Sequence, residues 1–358
     1  MANDRFEKRL KQIQSEIWVK IARIDELKGR WNAGVKLSPQ LLGRLKRSVL
    51  VTSSGASTRI EGARLSDDEV EKLMVGIDIQ KFADRDSQEV RGYFELLQNV
   101  FDSWQSIKFG ESTIRHFHQE LLKYVEKDDL HRGEYKKSEN RVEMIDSQGK
   151  KVGVLFDTAP AYLTPKLMQE LVEWTQEALG QEKYHPLLLV GNFLVEFLNI
   201  HPFTDGNGRL SRILTNLLML QSGYAYMPYV SHEKLVENKK PAYYIALRKS
   251  QKTFNMKIED LVPWLSFFFD TILEQSQIAI DLMSVERIDN ILSSKQLAVW
   301  NYLDGVFEVS PGEIAIKTQV SRPTVNQVLT KLLGLKWIER LGQGRGTRYR
   351  KVRISTQP

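Results

Sequence analysis

Two apolar runs joined by a polar, glycine-containing loop constrain this chain more than any other feature. From Pro186 to Ile200 nearly every residue is apolar, the composition of a helix buried on most sides. Leu210 to Leu220 is again apolar at helical spacing. Between them stands His201-Pro202-Phe203-Thr204-Asp205-Gly206-Asn207-Gly208-Arg209, so the loop opens the second helix. Gly206-Asn207-Gly208 lets successive backbone N–H groups turn inward as an anion nest. The helix start adds unpaired N–H groups and the positive end of its dipole, both of which favour phosphate. Arg209 and Arg212, three residues apart, can each make forked hydrogen bonds to phosphate oxygens. Asp205 is placed for Mg²⁺, and His201, mounted on a rigid buried helix, for proton transfer. These are the parts of a nucleotide-phosphate site.

The stretch resembles the signature of the Fic family, His-Pro-Phe-x-(Asp/Glu)-Gly-Asn-Gly-Arg-x-x-Arg, and every fixed position is matched from His201 to Arg212. The resemblance implies an enzyme that moves the AMP part of ATP onto a Tyr, Thr or Ser hydroxyl of a target protein, with Mg²⁺ on the phosphates. It assigns His201 as general base and Asp205 as metal ligand. Gly206, Asn207 and Gly208 are expected to cradle the α- and β-phosphates, with Arg209 and Arg212 on the β and γ groups. Tyr243, Tyr244 and Gln251 fall where relatives place adenine and ribose contacts. Upstream, Ser57-Thr58-Arg59-Ile60-Glu61-Gly62 is similar to the inhibitory motif (Ser/Thr)-x-x-x-Glu-(Gly/Asn) of many Fic proteins. Ser57, Glu61 and Gly62 are therefore expected to form an inhibitory element, with Glu61 taking Arg212 away from the γ-phosphate. A carboxylate near a helix C-terminus is in an unfavourable place and needs such a partner. Relatives also imply the reverse reaction, removal of AMP by the same site.

Around this site the chain reads as mainly α. Residues 1–108 show three-four apolar spacing in Ile13-Ile17-Ile21-Ile24 and Tyr93-Leu96-Leu97-Val100, with a capping box at Ser66 and Glu69. Residues 109–275 form the expected catalytic core, where Ser112 is read as the cap of a helix carrying Ile114, Phe117 and Leu121. Arg141–Ile145 and Val152–Phe156 flank Asp146-Ser147-Gln148-Gly149 as a β-hairpin. In Fic relatives such a hairpin is a flap that holds the target segment. Lys136 stands where many relatives carry Arg. His116 and His118 are read as helix residues rather than a metal pair, because no supporting carboxylate cluster or cysteine accompanies them.

A linker helix is expected over 276–289 and a winged helix-turn-helix (α+β) domain over 290–358. In that last segment Ser293–Leu303, Pro311–Thr318 and a helix from Val320 to Leu333 precede two strands, Trp337–Leu341 and Arg348–Val352, joined by a Gly-rich tip. Ser321 and Pro323 mark the start of its recognition helix. From Arg287 on there are twelve Lys/Arg against five Asp/Glu, so +7 of the net +6 lies here and −1 in all the rest. DNA is accordingly one expected partner of this segment, and protein contacts the other.

Cysteine is absent from all 358 residues, which excludes disulfides, cysteine-ligated zinc and a thiol nucleophile. The start of the chain is charged, and the longest apolar runs are broken by Glu196 or Asp270. A cytoplasmic protein without membrane contact is expected, and a homodimer would follow the habit of relatives. Transfer of phosphate, UMP or phosphocholine stays open, because the loop reads phosphates rather than bases. A reading of a different class is an ATP-sensing DNA-binding transcriptional regulator. P-loop chemistry is excluded, since no Gly-x-x-x-x-Gly-Lys-(Ser/Thr) occurs.

Overall fold

The computed structural model describes residues 2–11, 13–34, 37–74, 84–145, 151–303, 306, 308–334, 337–342 and 344–351. They form two compact units, Met1–Asp281 and Leu282–Pro358. The first contains α1 (Ala2–Leu10), α2 (Ser15–Gly34), α3 (Pro39–Ile60), α4 (Asp67–Met74), α5 (Arg85–Ser103) and α6 (Glu111–Leu121). After the hairpin β1 (Arg141–Ile145) and β2 (Lys151–Asp157) come α7 (Thr164–Gly180), α8 (Pro186–Ile200), α9 (Asn207–Gln221), α10 (His232–Asn238), α11 (Lys240–Gln251) and α12 (Val262–Ile291). The mainly helical class with one small antiparallel hairpin is as expected.

The two apolar runs become α8 and α9, which pack on each other, with α7 on the far side of α8. Thirteen of the fifteen residues of α8 are buried, including Glu196, the one carboxylate that breaks the run. Glu196 is 1% exposed and accepts hydrogen bonds from Arg5 (2.7 Å) and Arg9 (2.6 Å) of α1. A buried charge is tolerable only when paired in this way, so the interruption fastens α1 to the central helix. The segment around Ser57 is the last part of α3, which starts at Pro39 behind a Ser38 cap and ends at Glu61, with Gly62 left-handed at φ 108°. The Ser66–Glu69 capping box forms at the start of α4.

Two expectations are corrected. Ser112 does not cap α6: the helix starts at Glu111 behind Gly110, without a side-chain cap. Residues 276–289 are not a separate linker helix, because they continue α12 without a break. The hairpin turn Asp146–Gly149 lies outside the described residues.

The second unit holds α13 (Ser294–Tyr302), α14 (Pro311–Thr318), α15 (Arg322–Gly334) and an antiparallel pair, β3 (Ile338–Leu341) and β4 (Arg348–Lys351). Capping boxes at Ser293/Gln296 and Ser310/Glu313 start α13 and α14, and Gln319, left-handed at φ 55°, turns the chain toward α15. Val299, Ile314, Val325, Val328, Leu329, Leu332 and Ile338 are its core. Gln343 of the tip and Val352 of the return strand lie outside the described residues.

Candidate active site

The motif loop is set by its own residues. Pro202 cannot continue α8, and His201 ends that helix in the left-handed region, φ 51° and ψ 62°, its N–H bonded to Phe197 O at 2.9 Å. A non-glycine residue there is uncommon, and such conformations gather at functional sites. Gly206, at φ 77°, precedes the first residue of α9. Asn207 closes the loop on itself: its Oδ1 accepts from Phe203 N–H at 2.9 Å and its Nδ2 donates to Phe203 O at 2.8 Å. The Asn207 amide is thus spent on shaping the loop, and what it and Gly208 offer an anion is the backbone N–H pair at the helix start.

Two residues outside the motif complete the frame. His118 is fully buried and stacked on Phe203, 3.8 Å between ring centroids. Its Nδ1 accepts from Gly133 N–H (2.9 Å), which assigns the proton to Nε2, 3.0 Å from Asp205 O. Burial holds this imidazole at a pKa of about 4, so it stays neutral and keeps that tautomer. Lys136, 3% exposed, donates to Ile200 O (3.0 Å), Asn140 Oδ1 (2.9 Å) and Thr158 Oγ1 (2.8 Å). It joins the end of α8 to the residues that flank the hairpin.

His201 Nδ1 lies 3.3 Å from Leu198 O, an arrangement in which Nδ1–H donates and Nε2 carries the lone pair. Burial, then the nearby Lys136 charge, lower its pKa to about 4 against the opposing pull of the Leu198 hydrogen bond, Glu61 and Asp205. The imidazole is neutral at physiological pH, as a base must be. Asp205 accepts from Gly206 N–H (2.6 Å), Arg85 Nη2 (2.5 Å) and Arg209 Nη2 (3.0 Å). Burial works to raise its pKa, but Arg209 and then these other donors outweigh it and hold the carboxylate below its ordinary value. Among the described residues no group of three or more His, Cys, Asp and Glu gathers as a metal cage. Asp205 does fit Mg²⁺, which takes one carboxylate and fills its shell from substrate phosphates and water. The side chain is 41% exposed at the loop.

Arg212 is 3% exposed and bonded to α3 through Nε and Nη2, while its buried Nη1 has no hydrogen-bond partner. Its Nε donates to Ser57 Oγ (2.8 Å), and Nη2 donates to Ser57 O (2.9 Å) and Glu61 Oε1 (2.7 Å). A Cβ on Gly208 would lie 2.2 Å from Glu61 Oε1. The carboxylate therefore sits against Gly208, at the start of α9. Tyr243 is buried near Arg212, and burial raises its hydroxyl pKa to about 12, partly offset by that guanidinium. The Tyr244 hydroxyl is pushed up by burial and by the charge of Glu61. Gln251, 7% exposed, donates to Val195 O at 3.3 Å, on α8. The structure thus gathers His201, Asp205, Arg209, Arg212 and Glu61 at one loop, with Tyr243 and Tyr244 beside Arg212 and Gln251, at the end of α11, bonded to α8. Arg85, Glu89 and His118 were not anticipated there, and Lys136 was singled out only as a departure from the relatives' Arg.

Residues 108–219 match the Fic/DOC family. A probable protein adenylyltransferase of Aquifex aeolicus is 25% identical over 280 residues, 75% of this chain and 74% of that one. The protein adenylyltransferase Fic of Drosophila yakuba is 33% identical over 104 residues, 29% of this chain but 18% of its own length. Among solved structures, a Fic family protein from Desulfovibrio desulfuricans shares the fold over 97% of this chain and 98% of its own, with TM-score 0.62 at 24% identity. A Fic domain containing signaling protein from Bacteroides thetaiotaomicron covers 73% of this chain and 97% of its own, with TM-score 0.59 at 22% identity. With its helices, its loop and its relatives in agreement, residues 108–219 of the chain form a Fic/DOC region in a chain similar to protein adenylyltransferases.

Proposed function

We propose that this protein transfers AMP from ATP to a Tyr, Thr or Ser hydroxyl of a target protein, and that Glu61 holds it in a low-activity state. The observation that carries the reading is the Glu61 carboxylate on Arg212 at 2.7 Å, laid against Gly208. An ATP γ-phosphate needs that guanidinium and that space. In the active arrangement the target hydroxyl attacks the α-phosphorus, a new P–O bond forms, and the bond to the β-phosphate breaks as pyrophosphate leaves. His201 Nε2 takes the hydroxyl proton. Asp205 would hold Mg²⁺, which when bound neutralises phosphate charge. The N–H groups at the start of α9 receive the α- and β-phosphates, and Arg209 and Arg212 the outer ones. Tyr243, Tyr244 and Gln251 are assigned to the nucleoside, and the 141–157 hairpin to the target segment. The catalysis is mostly positioning and charge neutralisation, so loss of a phosphate clamp should hurt nearly as much as loss of the base.

The test is label transfer from α-labelled ATP and Mg²⁺ to protein in a lysate, with wild type, Glu61→Gly and Glu61→Gly/His201→Ala. Label with Glu61→Gly alone is the expected result. Equal labelling by the His201 variant would remove the base, and label from another donor only would replace the AMP reading.

For the second unit, the exposed face of α15 favours duplex DNA as partner. Arg322, Pro323, Asn326, Gln327 and Thr330 are all exposed and none is acidic. Arg, Asn and Gln are the side chains that read base edges in the major groove. Three helices followed by the β3–β4 pair support reading the module as a winged helix, and on that reading the chain is an enzyme that docks on DNA or a regulator that senses ATP. DNA binding that steepens with falling salt and weakens in Arg322→Ala is expected. Binding indifferent to both salt and Arg322 would favour a protein partner.

A further inference from the structure

Glu89 lies on α5, outside the motif loop, and is 7% exposed. Two motif-site guanidiniums hang on it. Its Oε1 accepts from Arg85 Nε at 2.7 Å, and its Oε2 lies 2.6 Å from Arg209 Nη1. The second contact is an ion pair in which no N–H points at the oxygen, so it acts through charge. The far ends of the same two guanidiniums meet on one atom, Asp205 Oδ2, at 2.5 Å from Arg85 and 3.0 Å from Arg209. The result is a closed ring of alternating charge, Glu89, Arg85, Asp205 and Arg209. Both in-plane lone pairs of Oδ2 are used, whereas Oδ1 accepts one bond, from Gly206 N–H. Oδ1 is the oxygen with capacity left for a cation.

We infer that Glu89 is a positioning residue for the metal carboxylate, aiming Asp205 through the two arginines and balancing their charge; the inference rests on Asp205 as the Mg²⁺ ligand. Two effects act with the same sign. Without Glu89, the half-exposed Arg85 loses its anchor and Asp205 loses one of two grips on Oδ2. The ring is also neutral as built, and removing one carboxylate leaves a net positive charge beside the cation site. Asp128, 3.3 Å from Arg85 Nη2, touches that arginine alone and cannot replace Glu89 at Arg209. Deleting Arg85 itself would set lost orientation against relieved repulsion, so the carboxylate is the diagnostic residue. Partners behind a metal ligand commonly carry about 10–100-fold in metal affinity.

The experiment is Mn²⁺ binding to the full-length Glu61→Gly protein, followed by electron paramagnetic resonance with a non-hydrolysable ATP analogue, beside binding of the analogue without metal. Adding Glu89→Gln should weaken Mn²⁺ about tenfold or more, while metal-free analogue binds as before or more tightly, because positive charge has been gained. Glu89→Asp, which keeps the charge, should recover part of the Mn²⁺ affinity. Unchanged Mn²⁺ affinity in Glu89→Gln, or equal loss of metal and metal-free binding, overturns the positioning role. Asp205→Asn separates the two levels: if it keeps Mn²⁺ affinity, Asp205 is not the ligand. If it loses affinity while Glu89→Gln does not, the role of Glu89 alone fails.

Discussion

Replacing Glu61 by Gly should tighten ATP binding about 10–30-fold. Arg212 makes three hydrogen bonds to α3, but the two to Ser57 do not stand in the way of an anion, and the one to Glu61 does. A hydrogen bond to a charged group contributes about 1.5–3 kcal/mol. The Glu61 side chain is 33% exposed, so water screens it and the lower part of the range, about 1.5–2 kcal/mol, applies. At about 1.4 kcal/mol per factor of ten, this gives the stated gain in apparent affinity. The substitution should leave the fold intact, because a carboxylate at a helix C-terminus opposes the dipole and Gly suits that end of a helix. Equilibrium titration with a fluorescent ATP analogue should rank Glu61→Gly above Glu61→Gln, which keeps a neutral hydrogen bond, and both above wild type. Equal affinity in all three would refute the reasoning, since neither occupancy of Arg212 nor the charge at Gly208 would then be limiting.

Because burial brings the His201 pKa down to about 4 and Glu61 is one of the groups that hold it up, the AMP-transfer rate of the Glu61→Gly protein should be flat from about pH 6 upward and fall by half only at or below about pH 4. A half-point near 6.5 would place His201 in an ordinary aqueous setting. Stability should follow His118 in the same direction. Its folded pKa of about 4 lies below the unfolded value of 6.5, so between them the unfolded chain binds more protons and stability is lost as pH falls, by up to about 3 kcal/mol. Thermal melts from pH 7 to 4.5 should show that fall, shallower in His118→Gln, and an identical slope in the variant would dismiss His118 as its source. Gly92→Ala should lose about 3 kcal/mol or more in urea denaturation, since its Cβ would lie 2.1 Å from the Leu121 carbonyl oxygen where α5 meets α6. Gly180→Ala, with nothing within 4 Å, serves as the neutral control.

What could be read from the chain was what is local in it. The helix, loop and helix around residues 186–220 are specified by apolar spacing, Pro202 and two glycines within a few residues of one another. The Ser66–Glu69 capping box is equally local. Glu61 and Arg212 lie 151 residues apart, and only the family resemblance brought them together beforehand. No such guide existed for His118 and Asp205, 87 residues apart, or Arg85 and Asp205, 120 apart. A lone His or an Arg–Glu pair at i,i+4 looks like any solvated helix face until the fold sets it beside the loop. Asn207 shows the converse: its place in the motif was legible, but its amide serves Phe203 rather than a ligand. Ser112 was misread because a serine near a helix start resembles a cap whichever residue actually begins the turn.

How the proposed inhibition by Glu61 would be relieved is also constrained by the packing of α3. The helix that ends in Glu61 is part of the core: Val49, Leu50, Val51 and Ile60 are buried, and it packs on α5 and α10. At about 1.5–3 kcal/mol for each such side chain, withdrawing these four would cost about 6–12 kcal/mol, which is the whole stability of an ordinary domain. The last turn is held further by Arg59, which donates to Glu237 of α10 (2.5 Å), Asp67 of α4 (2.8 Å) and Leu65 O (2.7 Å). Against this, the Glu61–Arg212 contact is worth about 1.5–2 kcal/mol. Departure of α3 is therefore the expensive route to an open site, and rotation of the Glu61 side chain or local opening of the turn from Ser57 to Gly62 the inexpensive one. On the proposed inhibition, an activating signal needs to act on that single turn, and the Arg59 cluster, part-exposed through Asp67, is the part of it that an outside partner can reach.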